Sequence, residues 1–92
     1  MANAFSRFMY WDVTSVKPIE YLSLKVTFKD GLTGTVHFKP SHLYGVFEIL
    51  KDPNYFNKVY LGNGVVTWPG ELDLAPDAMH AEIKEKGSWI LE

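Results

Sequence analysis

Residues 21 to 38, "YLSLKVTFKDGLTGTVHF", constrain the fold of this chain more than any other stretch. Apolar and polar residues alternate on both sides of a central Lys-Asp-Gly, and a period of two is typical of a β-strand with one buried face. The predicted inward residues are Leu22, Leu24, Val26 and Phe28 before the turn, and Leu32, Gly34, Val36 and Phe38 after it. The stretch therefore predicts an antiparallel hairpin.

The length of the turn decides which residues of this hairpin pair. A two-residue loop would place the inward Phe28 opposite the outward Thr33, and a one-residue slip turns a whole face over. A three-residue loop ending at Gly31 instead pairs Phe28 with Leu32, with Gly31 left-handed in a G1 bulge. The same register pairs Val26 with Gly34 and Leu24 with Val36. We therefore predict the three-residue form.

A second hairpin is predicted over residues 58 to 68. Asn63-Gly64 suits a two-residue type I′ turn, in which both central residues have positive φ. This register puts Leu61 opposite Val66 and Val59 opposite Trp68, so apolar residues face apolar residues. A further strand is predicted near Tyr10 to Val16. We expect Lys17-Pro18 to end it, because proline cannot donate to a strand ladder.

The two hairpins and the N-terminal strand are predicted to form one antiparallel sheet, and two helical regions complete the predicted small α+β domain. "GVFEILKDP", residues 45 to 53, predicts a short buried middle helix, and Pro53 begins a second turn. A C-terminal helix is expected to begin at Pro76, with Ala75 as a weak N-cap, and to end at Gly87. The acids of residues 71 to 77 then belong to the connection between a strand and this helix. Asp77 lies in the first turn of the helix, where a negative charge is favourable.

The length of 92 residues predicts one domain, which we assign to residues 10–92, with residues 1–9 as an N-terminal extension. The chain is 47% hydrophobic and has a net charge of −2, which gives no electrostatic reason to expect nucleic acid or an anionic membrane as a direct partner. It has no cysteine and no run approaching the roughly 18 apolar residues of a membrane span. We expect a cytoplasmic protein.

No motif for catalysis or for metal binding is visible. His37, His42 and His80 are scattered, whereas metal sites usually show tight pairs such as H-E-x-x-H. Ser41 is adjacent to His42 in sequence, but this does not make the two a nucleophile and its base. We therefore predict a non-enzymatic protein with no catalytic, cofactor-binding or metal-binding residues and no cofactor.

Three stretches resemble a known family. They are "WDVTSVKPIEYLSLKVTFKDG", "GVFEILKDPNYFNKV" and "VVTWPGELDLAPD", whose most specific parts are Gly45-Val46-Phe47-Glu48 with Leu50, Asp52-Pro53 with Phe56, Trp68-Pro69, and Asp73-Leu74 with Pro76. Over roughly residues 10 to 80 the chain resembles the small bacterial family of domains of unknown function numbered 2442. The resemblance implies a compact α+β domain without established catalytic residues. Many members are encoded beside a small partner and are described as probable antitoxins, and some carry a helix-turn-helix domain for which this chain is too short.

Two hypotheses for the function follow. The first is a protein-interaction module, the antitoxin-like member of a two-protein pair whose partner is a small toxin encoded nearby. The residues proposed to bind the partner are Phe5, Phe8 and Trp11 near the N-terminus and Trp89, Ile90 and Leu91 in the tail, and both groups can equally be core. An uncovered strand edge also allows a homodimer. The alternative is a regulatory sensor that binds a small ligand between the sheet and the last helix.

Overall fold

The computed structural model of the protein describes residues 11–70 and 72–91, and it confirms the α+β class. The strands are β1 (Val13–Glu20), β2 (Ser23–Phe28), β3 (Thr33–Phe38), β4 (Tyr60–Gly62), β5 (Val65–Trp68), β6 (Leu72–Asp73) and β7 (Ser88–Leu91). The helices are α1 (Pro53–Phe56) and α2 (Pro76–Lys86), and 3-10 segments span Pro40–His42 and Gly45–Lys51. The predicted middle helix is therefore a 3-10 segment followed by α1.

The first hairpin has the predicted register. β2 and β3 pair Leu24 with Val36 and Val26 with Gly34. At the turn, the Gly31 N–H donates to the Phe28 carbonyl over 2.9 Å, and Gly31 has a φ of 93°. These observations confirm the three-residue turn. This form of the turn keeps every large apolar side chain of both strands on one face.

The second hairpin also has its predicted turn, with a φ of 54° at Asn63 and 80° at Gly64, and Leu61 pairs with Val66. Val59, which was predicted to face Trp68, lies just before β4.

The two hairpins lie in separate sheets, of order β1-β2-β3-β7 and β4-β5-β6, and not in the single sheet predicted. The physical reason is that their apolar faces meet. Phe38 of β3 and Trp68 of β5 pack edge to face with ring centroids 6.0 Å apart, and both are buried. Two hairpins can bury such faces against each other only if they belong to different layers.

Strand β1 corrects a prediction. Pro18 was expected to end this strand, but β1 continues to Glu20 and Pro18 pairs with Leu24. The Phe28 N–H donates to Leu32, so the even-numbered residues of β2 hydrogen-bond towards β3. Leu24 and its partner Pro18 are consequently a non-hydrogen-bonded pair. The proline nitrogen faces the open edge, where a missing N–H costs no ladder bond.

The tail forms β7, which pairs in parallel with β3 and was not predicted as a strand. Val36 lies beside Trp89 and Phe38 beside Leu91, and the Lys39 N–H donates to the Leu91 carbonyl over 3.0 Å. Trp89 and Leu91 pack partly against the core. Of the two possibilities left open for the tail, the structure shows these two side chains folded back onto the domain.

Helix α2 has the predicted limits, with Ala75 as N-cap and Gly87, at a φ of 84°, after its last turn. Met79, His80 and Ile83 form its buried face. Ile83 packs where Gly34 of β3 has no side chain, which lets the helix approach the sheet closely. No helix in the described ranges has both the length and the apolar character needed to cross a membrane.

Candidate functional site

His37 makes polar contacts within the first sheet. His37 Nδ1 lies 2.9 Å from Ser23 Oγ, and His37 Nε2 lies 3.0 Å from Thr35 Oγ1, on the face of the first sheet opposite the core. Within residues 11–70 and 72–91, no group of three or more His, Asp and Glu side chains is placed to hold a metal ion. Of the acids at positions 71, 73 and 77, Glu71 lies outside the described residues.

The sequence did not reveal the contact between His80 and Asp30. His80 is buried, its Nε2 lies 2.8 Å from Asp30 Oδ2 in the turn between β2 and β3, and its ring meets the edge of Phe28 with centroids 4.8 Å apart. A signal was present, because His80 interrupts the apolar stripe of Met79 and Ile83 on the buried face of α2. A polar side chain in such a stripe usually has a hydrogen-bonding partner, but nothing local identifies that partner.

The Asp30 carboxyl gives the fold a pH dependence. The Leu32 N–H, which donates to Asp30 Oδ1, and secondarily His80 hold the pKa of the Asp30 carboxyl below its ordinary value of 3.8. A lowered folded-state pKa stabilises the fold above the unfolded value, and this contribution is lost as the pH falls through the folded value. We expect Asp30→Asn to lose less stability than the unsubstituted protein below pH 3.8. Urea midpoints from about pH 7 down to about pH 2 measure this, and identical pH profiles for the two proteins would contradict it.

Four of the six predicted partner-binding residues lie in the described part of the chain, at two separate places. Phe5 and Phe8 lie outside the described residues. Trp11 is half-buried against the core just before β1, at the opposite side of the first sheet from β7. β7 brings together the three tail residues, of which Ile90 is 49% exposed while Trp89 and Leu91 are half-buried.

The outer edge of β7 is open in the described part of the chain. Leu91 hydrogen-bonds towards β3, so Trp89 does the same and the backbone groups of Ser88 and Ile90 point away from the sheet. β7 contains neither a charged residue nor proline. At the other end of the sheet, β1 carries Pro18, Lys17 and two register shifts, which are devices that prevent strand addition. Of the two edges of the first sheet in the described part of the chain, the β7 edge is the one without such devices.

A second candidate site is an open groove of about 380 Å³ between the β1–β2 turn and α1. Its lining is mostly apolar and consists of Pro18, Ile19, Glu20, Tyr21, Leu22, Pro53, Phe56 and Asn57. Leu22 and Phe56 are buried, whereas Ile19 and Tyr21 are 46% and 59% exposed. The Tyr21 hydroxyl donates to the Lys51 carbonyl over 3.1 Å and so joins the turn to the 3-10 segment. The groove therefore has a packed floor and exposed apolar walls.

The backbone of the groove is strained at Leu22. This residue has a φ of 57°, a left-handed conformation that costs a bulky side chain about 1 to 2 kcal/mol. The surrounding structure fixes it, because the side chain is buried and the Leu22 carbonyl accepts the Phe38 N–H over 2.9 Å. Strain of this kind clusters at binding sites.

The space between the first sheet and the last helix, where a ligand pocket was predicted, is occupied by Ile83 packed at Gly34. A shallow depression of about 450 Å³ lies on the surface of α2 beside His80, but all of its lining residues belong to that one helix. The groove beside α1, in contrast, is lined by residues of several elements of the described chain.

A family model described as "Protein of unknown function (DUF2442)" matches residues 13–85. No curated protein and no solved structure matches the chain. The matched span contains every residue that lines the groove, while β7 begins at Ser88, beyond its end.

Proposed function

This chain belongs to the DUF2442 family of proteins of unknown function, and from that premise we propose that it is a non-enzymatic protein-interaction module. The observation that carries the proposal is the edge of β7, which is uncharged and, among residues 11–70 and 72–91, has no neighbouring strand on its outer side. A partner binds by adding an extended segment to this edge, so that its backbone continues the ladder of the first sheet.

The geometry of β7 supports strand addition. The N–H and C=O groups of Ser88 and Ile90 face outward and supply up to four backbone hydrogen bonds to an added strand. The side chain of Ile90, on the open face of the sheet, offers apolar area beside them. Trp89 and Leu91 contribute indirectly, because their contact with the core holds the strand in place.

The partner is a second protein, and we propose that the pair is of the antitoxin-like kind in which a small toxin is encoded nearby. A toxin segment held along β7 would be removed from its own site of action. A second copy of this chain at the same edge is the competing possibility, and the mass of the purified protein in solution distinguishes the two.

The substitution Ile90→Pro tests the proposal. The Ile90 N–H points away from β3, so proline at this position removes an outward donor without breaking a bond of the β3–β7 ladder. We expect the tagged protein to recover a stoichiometric partner from its native host and Ile90→Pro to recover less than about a tenth of it. Proline cannot be used at a control position in the 3-10 segment, so a second pair of variants carries lysine. Ile90→Lys is the test and Ile49→Lys is its control, because the two isoleucines are 49% and 48% exposed.

Two results would contradict this interaction. One is the absence of any stoichiometric partner. The other is equal loss of the partner in Ile49→Lys and Ile90→Lys, which would place the contact elsewhere. Circular dichroism of each variant confirms that the fold is retained.

A second candidate function, a sensor of a small ligand, is favoured by the groove beside α1. Its volume of about 380 Å³ is within the usual range for small-molecule sites, and it lies wholly in the span that the family shares. A thermal-shift screen tests this function, because a ligand at a hundred times its Kd adds about 2.7 kcal/mol to the free energy of unfolding.

A further inference from the structure

We propose that the groove beside α1 binds a small organic amine, a ligand with an apolar or aromatic body and one protonated nitrogen. This inference rests on the second candidate function, the ligand sensor, and specifies the chemical class of its ligand. It is independent of strand addition at β7.

The polar side chains of the groove define the charge of the ligand. Glu20 is the one charged residue in the lining, and it forms no ion pair or side-chain hydrogen bond in the described structure. The side chain of Asn57 is likewise without a partner there. The Tyr21 hydroxyl already donates to Lys51. The groove thus presents a carboxylate and a carboxamide oxygen as acceptors, which together suit an ammonium group.

The apolar lining defines the body of the ligand. Two prolines, Ile19 and Leu22 are aliphatic members of the lining, and Tyr21 and Phe56 are its aromatic members. Aromatic faces attract an ammonium group as well as apolar atoms, so they favour a cation over a neutral ligand of the same shape. A carboxylate ligand is disfavoured, because it would place a second negative charge beside Glu20.

The groove is prepared before the ligand arrives. The strained turn at Leu22 is fixed by the hydrogen bond of its carbonyl to β3, and the turn is tied to the 3-10 segment by Tyr21. A site whose walls are already fixed loses less conformational freedom on binding, which favours affinity for a small ligand.

Three probes that share a phenylethyl group test the charge preference, namely 2-phenylethylamine, the neutral 2-phenylethanol and the anionic 3-phenylpropionate. Binding is followed by the backbone amide signals of the ¹⁵N-labelled full chain, in which Ile19 to Leu22 and Phe56 to Asn57 report on the groove. We expect the amine to shift these signals, and the alcohol to bind about tenfold more weakly. The carboxylate is expected to bind more weakly still.

Glu20→Gln is the decisive variant and is nearly the same size as the residue it replaces. We expect it to lower the affinity for 2-phenylethylamine about tenfold and to leave the affinity for 2-phenylethanol unchanged. Glu48→Gln is the matched control, because Glu48 is an exposed acid of the 3-10 segment outside the groove lining. It should change neither affinity.

The possible failures are distinguishable. Equal affinities for the amine and the alcohol, or an unchanged amine affinity in Glu20→Gln, would overturn the amine proposal while leaving a ligand site in the groove. No shift of the groove amides with any of the three probes would overturn this proposal, and a blank thermal-shift screen would then overturn the sensor function with it.

Discussion

Replacing Trp68 with alanine is expected to lower the free energy of unfolding by about 4 kcal/mol, the largest effect of any single substitution considered in this protein. Trp68 is fully buried and packs on Phe38 of the first sheet and Phe56 of α1, with centroids 6.0 and 5.7 Å apart. Its removal therefore opens a cavity where both sheets and α1 meet. A domain of this size has only about 5 to 15 kcal/mol of stability to lose.

The variant Trp68→Phe separates packing from hydrogen bonding. The Trp68 Nε1–H donates to the Phe56 carbonyl over 2.8 Å, and phenylalanine leaves that buried carbonyl without its donor. We expect this variant to lose about 1 to 3 kcal/mol. Urea unfolding followed by far-UV circular dichroism measures both variants. A loss in Trp68→Ala no greater than that in Trp68→Phe would show that Trp68 does not join the two layers.

The second large effect is expected for Gly34→Ala, at about 3 kcal/mol of destabilisation. An added Cβ at Gly34 would overlap the Cγ2 atom of Ile83 and come within 2.8 Å of the Gly87 carbonyl oxygen. Ile83 is buried and the second neighbour is backbone, so neither can move away easily. The helix must shift from the sheet, and the packing of α2 is weakened along its length.

Gly62→Ala is the matched control for this substitution. Gly62 also lies in a strand, but the nearest atom to its added Cβ is Thr67 Oγ1 at 3.5 Å, an ordinary contact. We expect a change within about 0.5 kcal/mol, because alanine reduces the freedom of the unfolded chain at no steric cost. Thermal unfolding of the two variants side by side measures the difference. Equal midpoints would show that Gly34 does not set the distance between helix and sheet.

Local patterns predicted most of the regular structure. The register of the first hairpin followed from the alternation of residues 22 to 38 together with Gly31, and the second hairpin from Asn63-Gly64. The ends of α2 followed from Pro76 and Gly87. In each case the turn residues and the spacing of the apolar residues favour the same structure within about ten residues of sequence. No contact with a distant part of the chain is therefore needed to determine the register or the helix end.

The candidate sites depend on contacts that are distant in sequence, and the sequence did not reveal them. β7 pairs with β3, and His80 meets Asp30 fifty residues away. The groove is formed by a turn at Leu22 and a helix beginning at Pro53. A left-handed leucine contradicts the local preference for glycine, so only the tertiary structure accounts for it.

The parallel pairing of β3 and β7 has a consequence for the order of folding. β1, β2 and β3 are connected by short turns, so their ladder can form with little loss of chain entropy. β7 can join only after the segment from Lys39 to Gly87 has closed into a loop, which makes its pairing the step of highest contact order in the first sheet. We therefore expect its amides to exchange with deuterium sooner than those of β2, so that this edge is the part of the sheet most readily opened and re-formed.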